Sequence, residues 1–319
     1  MTALAWVVGR GGLLGSHVEA ALQRRAGWAS FRAAPFPWDS PDRLRMEMDK
    51  TASEYRIQIR HHGKGAVFWC AGSGVVGASA AALTAEAESF EYFLSRLGGD
   101  EAGRFFLASS AGGVWGGSSD RPITEASAPR PMAAYGLAQL DKEAALARWA
   151  ARWPAVSTLV GRLSNLYGPG QALDKPQGLV SYLSRSLLHG QPAHIFVPLD
   201  TIRDYLFVED AARAIVHGIE RLGEDGAGAP RHVLKIFASE QATTVGELLG
   251  AFRRTAKRPL KVVTGLHAVA SQQPACLQFR SAVWRDEPFM ARIGLVEGID
   301  RVLHHELALF QAGALPLPG

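Results

Sequence analysis

The feature that most constrains this chain lies near its start. The apolar run Ala3–Val8 meets the turn Gly9-Arg10-Gly11-Gly12-Leu13-Leu14-Gly15, and an apolar helical pattern follows over Leu13–Arg25. A buried strand that ends in glycines and feeds a helix has few structural uses. One glycine permits the tight turn, another lets the backbone approach a pyrophosphate, and a third lets helix and strand pack closely. The helix N-terminus then offers N–H groups and partial positive charge to the phosphates. The glycines fit GxxGxxG spacing on Gly9, Gly12 and Gly15, whereas GxGxxG fails because its third glycine falls on Leu14. A glycine-rich turn without a ligand is the alternative, and the strand before it and helix after it weigh against that.

The strand–helix alternation continues. Trp28–Arg32 reads as a second strand, and Pro35, Pro37 and Pro41 break the next stretch into loop. Ala66–Cys70 reads as a strand ending at Gly72-Ser73-Gly74, followed by the Ala-rich helix Ala80–Leu97 with Phe90, Phe93, Leu94 and Leu97 at helical spacing. Strand Phe105–Ala108, helix Ala134–Trp149 and strand Ser157–Val160 lead to the turn Tyr167-Gly168-Pro169-Gly170. Such alternation predicts an α/β fold, a Rossmann-type doubly wound parallel sheet covered on both faces. Past Gly170 the rhythm lapses. Residues 1–168 are expected to form the dinucleotide-binding portion, and 169–319 a smaller, mixed, mainly substrate-binding portion, with 195–220 returning to the Rossmann sheet.

Composition narrows the function classes. With 47% hydrophobic and 20% charged residues the chain is globular rather than disordered. Its net charge of +4 suits anionic ligands, but no dense Lys/Arg run implies nucleic acid. The two cysteines, Cys70 and Cys276, make neither a disulfide framework nor a zinc pattern. The adjacent pairs His61-His62 and His304-His305 cannot face one way, so no metal is expected and they read as loop and surface histidines. No apolar run reaches the roughly 18 residues of a membrane span. The opening segment lacks a basic leader, so a soluble, cytoplasmic protein is expected.

Three further segments resemble the extended short-chain dehydrogenase/reductase family, in its nucleotide-sugar epimerase, dehydratase and reductase group. Ser109-Ser110-Ala111-Gly112-Gly113-Val114-Trp115-Gly116 is similar to the family's Ser-rich strand end with Val-Tyr-Gly. Tyr135-Gly136-Leu137-Ala138-Gln139 is similar to its YxxxK helix. Gly161 to Gly170 and Arg203 to Asp210 resemble its RxxNxYGPG and RDYxxVxD signatures. The order matches from residue 3 to about residue 220, and the last hundred residues match only loosely.

This resemblance implies a hydride exchanged with NADP or NAD, and Tyr135 as acid/base. The glycine turn (Gly9, Arg10, Gly11, Gly12, Leu13, Leu14, Gly15), Ala71, Gly72, Tyr135 and Gln139 would contact the cofactor. An acidic residue at the end of the second strand would read a ribose 2′-hydroxyl, but Ser30-Phe31-Arg32 stands there. Arg32 with Arg10 could meet a 2′-phosphate, which tilts the choice toward NADP; Asp39 or Asp42 serving the ribose is the alternative. Asn165 and Arg203 would contact the diphosphate of a nucleotide-sugar, unless Arg203 pairs with Asp204 or Asp210; Arg162 and Asp210 would be structural. A homodimer through helices such as Ala80–Leu97 and Ala134–Trp149 is implied as well.

Two departures fall on the catalytic centre. Gln139 stands where the family carries lysine, and it can bind ribose hydroxyls without offering a charge. If such a lysine lowers a tyrosine pKa by ~2 units, losing it gives back ~2.7 kcal/mol. Lys142 lies about 10 Å further along the helix axis and reads as a surface residue. The position of the family hydroxyl falls on Ala111, leaving Ser110 or Ser109 as donor, or as groups that merely satisfy the backbone. Two readings follow: an epimerase, dehydratase or reductase, or a catalytically weak dinucleotide-binding sensor or partner subunit.

Overall fold

The computed structural model describes residues 2–72, 78–99, 103–172, 178–224, 231–265, 274–286 and 291–318. In chain order its first part runs β1 (Ala3–Val8), α1 (Leu13–Gln23), β2 (Trp28–Ser30), α2 (Pro41–His62), β3 (Gly65–Trp69), α3 (Ala80–Arg96), β4 (Arg104–Ser110), α4 (Ala111–Trp115), α5 (Ala134–Ala150) and β5 (Ser157–Leu163). The second part runs β6 (Asn165–Tyr167), α6 (Leu179–Leu188), β7 (Ala193–Ile195), β8 (Ile202–Phe207), α7 (Val208–Glu224), β9 (His232–Phe237), β10 (Ala242–Thr244), α8 (Val245–Ala256), β11 (Val262–Thr264) and α9 (Leu295–Gln311).

Six parallel strands form the main sheet in the order β2-β1-β3-β4-β5-β9. Strand alternation divides its side chains between two cores. From β1, Leu4, Trp6 and Val8 pack with Met48 and Tyr55 of α2, Phe93 of α3 and Trp149 of α5. Ala5 and Val7 face the other way, against Val18 of α1 and Ile215 and Ile219 of α7. Burial on both faces is why these strands read as continuous apolar runs. The chain leaves β1 toward β2, then builds from β3 in the opposite direction, so a crevice opens beyond the carboxyl ends of β1 and β3.

Three expectations are corrected here. The prolines at 35–41 do not mark a purely looped stretch. Pro41 occupies the first turn of α2, where a missing N–H costs nothing, and the helix continues to a left-handed Gly63. His61 and His62 accordingly close that helix rather than sit in a loop. Nor does the whole stretch 195–220 return to the main sheet. β8 belongs to the separate sheet β10-β8-β6; the return is made by α7, which covers one face, and then by β9 at the edge. The Ser73 and Gly74 turn, and most of the loop Gly223–Pro230, lie outside the described residues.

The second part has its own core, in which Val180 and Leu183 of α6, Phe207 of β8, Leu248 and Phe252 of α8, and Ile299 and Val302 of α9 meet. Asp210, fully buried in the first turn of α7, accepts the backbone N–H groups of Arg292 and Ile293, both at 2.8 Å, and pairs with Arg213. It pins the segment leading into α9 onto the main sheet's covering helix. Among the described residues no helix is long and apolar enough to cross a membrane.

Trp6 sits with its ring 5.2 Å from Phe31, 5.1 Å from Tyr55 and 5.1 Å from Phe93. Trp6→Ala is expected to cost about 3–5 kcal/mol in denaturant unfolding, the range for emptying a packed aromatic site.

Candidate functional site

The glycine turn is built on backbone contact. Gly9 has φ +86°, and a Cβ on it would lie 2.6 Å from the Ala71 nitrogen in the loop after β3. A Cβ on Gly15 would lie 2.2 Å from the Gly9 carbonyl oxygen. Gly9 and Gly15 therefore hold turn, helix and neighbouring loop together, while Gly11 faces open space. Gly12 caps α1 without a side chain, so the first amides of α1 stay open. Gly12, Leu13, Leu14, Ala71 and Gly72 line a cleft of about 890 Å³ that continues to β6, α6 and β8. Arg10 and the exposed Arg32 are outside this lining; they follow the neighbouring ends of β1 and β2.

Tyr135 sits in the first turn of α5 at the middle of the cleft. Two glycines set its position. A Cβ on Gly136 would lie 2.1 Å from the Gly113 carbonyl oxygen, and one on Gly113 would lie 2.9 Å from Tyr135 Cε1. Ser110 caps α4, its Oγ accepting the Gly113 N–H at 3.1 Å. The Tyr135 hydroxyl bonds the side chains of Ser110 and Gln139. Burial pushes its pKa up and the Glu86 charge pushes the same way; the two hydrogen bonds oppose them without reversing the shift. Tyr135 is therefore a neutral phenol at neutral pH. Gln139, one helical turn on, keeps Oε1 buried without a hydrogen-bond partner. Gln139 lines the cleft, and an unsatisfied buried acceptor there suits a hydroxyl donor.

Several expectations are revised. Ser109 donates to Glu143 Oε1 at 2.5 Å, and Glu143 holds Arg162 through bonds of 2.9 and 2.6 Å. The Arg162 guanidinium in turn lies 4.3 Å over the Trp115 ring. Ser109 is thus committed to a structural network, and Ser110 is the hydroxyl that meets Tyr135. Ala111 is fully buried among Trp115, Leu277 and their neighbours. Lys142 is not a surface residue: its side chain is 2% exposed and its Nζ lies 2.6 Å from Glu86 Oε1. The α3–α5 seam explains this, since two turns beyond Tyr135 the helix still faces the cleft floor. Lys142 and Glu86 both line the cleft. Glu86 went unanticipated because one acid on an amphipathic helix carries no sequence signal.

At the far end, Asn165 and Arg203 reach the lining together with Tyr182, Arg185 and Phe196, which the sequence reading missed. Arg203 is buried in β8 and donates to the carbonyls of Ile202 at 2.9 Å and Pro274 at 2.7 Å; burial lowers its pKa. The pairing with Asp204 does not form, because that carboxylate accepts Ser164 Oγ at 2.6 Å and both the Ser239 N–H and Oγ at 2.9 Å. Asp210 is likewise engaged elsewhere.

Comparison with known proteins agrees with this architecture. Residues 5–232 match the model of the NAD dependent epimerase/dehydratase family. A dTDP-4-dehydro-6-deoxyglucose reductase of Escherichia coli is 31% identical over 122 residues, 38% of this chain and 38% of the relative. A dTDP-L-rhamnose 4-epimerase of Burkholderia thailandensis is 30% identical over 135 residues, 39% of this chain and 37% of the relative. The chain thus matches under two-fifths of the length of these curated relatives. The structure of UDP-glucose-4-epimerase from Stenotrophomonas maltophila with bound NAD and formylated UDP-arabinopyranose superposes with a TM-score of 0.78 at 20% identity, over 98% of this chain and 99% of that one. RMD from Pseudomonas aeruginosa complexed with NADPH gives 0.76 at 20% identity, over 95% and 98%. At such identities the structural likeness speaks for the fold alone.

The two serines are separable by experiment. Ser109→Ala should lower stability by about 1.5–3 kcal/mol, the worth of a hydrogen bond to a charged group, and leave the titration of Tyr135 unmoved. Ultraviolet tyrosinate titration and denaturant unfolding of the one variant check both halves.

Proposed function

Because the chain belongs to the NAD dependent epimerase/dehydratase family, we propose that it binds a nicotinamide dinucleotide and moves a hydride and a proton to or from the sugar of a nucleotide-sugar. The observation that carries this reading is the placement of the Tyr135 phenol. It is bonded to Ser110 and Gln139, between a glycine cradle at one end of the cleft and Arg203 at the other. A bound nicotinamide would supply or accept the hydride. The chain's own groups do the rest. The open amides of α1 and the backbone at Ala71 and Gly72 would take the pyrophosphate, and Gln139 Oε1 would accept a ribose hydroxyl. Arg203 and Asn165 would take the diphosphate of the substrate, bringing the sugar carbon to be oxidised or reduced against Tyr135. Ser110 holds the phenol and the substrate oxygen in one hydrogen-bonding set.

The site favours oxidation–reduction over elimination of water. Elimination needs a base for the carbon-bound proton and an acid for the departing hydroxide, beyond the tyrosine. Among the described lining residues Glu86 is the one carboxylate, and it is engaged with Lys142. NADP is the preferred cofactor in this reading, NAD the other, since Arg10 and Arg32 flank the ends of β1 and β2 where a 2′-phosphate would lie. A homodimer through α3 and α5 belongs to the same proposal. A second reading, a sensor or partner subunit that binds dinucleotide without turnover, is favoured by one observation: among the described residues the Tyr135 hydroxyl bonds Ser110 and Gln139, both neutral.

Native mass spectrometry and titration with NADP(H) and NAD(H) test the cradle, and turnover of nucleotide-sugars separates the two readings. Tyr135→Phe is expected to bind dinucleotide as the parent does and to lose on the order of 10²–10⁴-fold in turnover, the usual worth of a positioned acid/base. Retained turnover would remove Tyr135 from the chemistry, and absent turnover in the parent would favour the sensor. Arg32→Asp should reverse a preference for NADP over NAD.

A further inference from the structure

Helix α9 lies beyond the stretch that matches the family model, and it buries a carboxyl group. Glu306 is 2% exposed, and its Oε2 has no hydrogen-bond partner among the described residues. A buried carboxylate without a bond is costly, so it stands only where it stays neutral or where something offsets its charge. Across the seam, α6 turns a polar face to it. Ser181 and Arg185, one helical turn apart, are both buried and both act on Glu306. The Ser181 hydroxyl and the Arg185 guanidinium favour the ionised form, but burial outweighs them and pushes the carboxyl up to about 7. The same Arg185 lines the cleft beside Tyr182, at the end where Arg203 stands. One guanidinium is therefore shared between a buried carboxyl group and the cleft.

The other charged and titratable groups on the elements around Glu306 are engaged or turned outward. α8 brings Leu248, Leu249 and Phe252 to the seam, while its Glu247, Arg253 and Arg254 are exposed. In β8, Arg203 bonds the Ile202 and Pro274 carbonyls and Asp204 is held by Ser164 and Ser239. On α9 itself His304 and His305 are exposed, Asp300 pairs with His304, and Arg301 is held by Glu209 and Glu297. On α6 the Tyr182 hydroxyl accepts the His194 N–H, and His189 at the helix end lies 3.1 Å from the Pro316 carbonyl.

We propose that Glu306 is a positioning residue for the anionic end of the substrate, acting through Arg185: protonated, it leaves the guanidinium to a nucleotide diphosphate in the cleft, and ionised, it holds that charge on α9. The inference rests on the nucleotide-sugar reading above and adds a proton to the binding step. An anion that enters beside Arg185 repels a carboxylate behind it, so binding favours the protonated form and draws a proton from solvent. By linkage the affinity then falls as pH rises. Folding carries the same sign. Glu306 is held above the ordinary ~4.3 of a free glutamate. The folded chain keeps a proton that the unfolded chain has lost, and stability falls as pH rises from that value to about 7.

UDP-glucose and dTDP-glucose serve as probes, because both phosphates of each are esterified and carry fixed charge across neutral pH. Isothermal titration calorimetry in two buffers of different ionisation enthalpy reads affinity and proton uptake together, without turnover. The parent is expected to bind about five- to tenfold more tightly near pH 6 than near pH 8, a usual size of coupling between two sites, and to take up a fraction of a proton near pH 7. Glu306→Gln, a near-isosteric change that stays neutral, is expected to keep the parent's low-pH affinity at both pH values and to take up no proton. A purely structural role would move stability and leave this profile in place. His194 also lines the cleft, so His194→Gln is measured alongside. Uptake that persists in His194→Gln supports the proposal even if Glu306→Gln does not fold, and uptake that vanishes there overturns it. Parent binding that is flat across pH, or a pH dependence that survives Glu306→Gln, overturns the proposal and leaves the nucleotide-sugar reading standing. Failure of both probes to bind at either pH overturns that reading, and the proposal with it.

Discussion

Backbone pressed against backbone at two pairs of glycines is the constraint on which the rest of this structure depends. Gly15 lets α1 start directly over the Gly9 carbonyl, and Gly136 lets α5 start directly over the Gly113 carbonyl. The first contact aims the open amides of α1 at the crevice between β1 and β3. The second presses the Tyr135 ring onto the turn that carries Ser110. Any side chain at these positions would collide with backbone that has nowhere to move, because the strands behind it are buried on both faces. The glycine-turn end of the cleft and the Tyr135 centre are thus set by the same device, a helix N-terminus docked on a strand end.

Legibility in the sequence follows from how local each signal is. β1, its glycine turn and α1 form one uninterrupted pattern, and the strands buried on both faces announce themselves as apolar runs. Tyr135, Gln139, Asn165 and Arg203 sit in short motifs whose spacing survives. Helix α2 was obscured because a proline at its first position looks, residue by residue, like a loop proline, and because its apolar residues face only one core. The buried state of Lys142 could not be read either. It depends on Glu86, fifty-six positions earlier, and nothing in the spacing along α5 reveals what α3 places opposite. The choice between Ser109 and Ser110 is of the same kind, decided by Glu143 reaching back from α5 to one of two adjacent hydroxyls.

The distribution of charge along the cleft is asymmetric in a way that bears on its chemistry. Arg185 and Arg203 are buried at the end that would receive phosphates, and burial already lowers the pKa of Arg203. A guanidinium can take an anionic guest through paired, charge-assisted bonds. At the other end the fixed cation is Lys142, and a carboxylate already holds it.

That ion pair also limits how the site could be altered. Removing Glu86 would leave the Lys142 charge buried without this carboxylate, which costs about 3–5 kcal/mol where one member of a buried pair is removed. Gln139 fills the position from which a cation would act, and as an amide it can donate to the phenol and accept from a ribose, but it gains no charge at any pH.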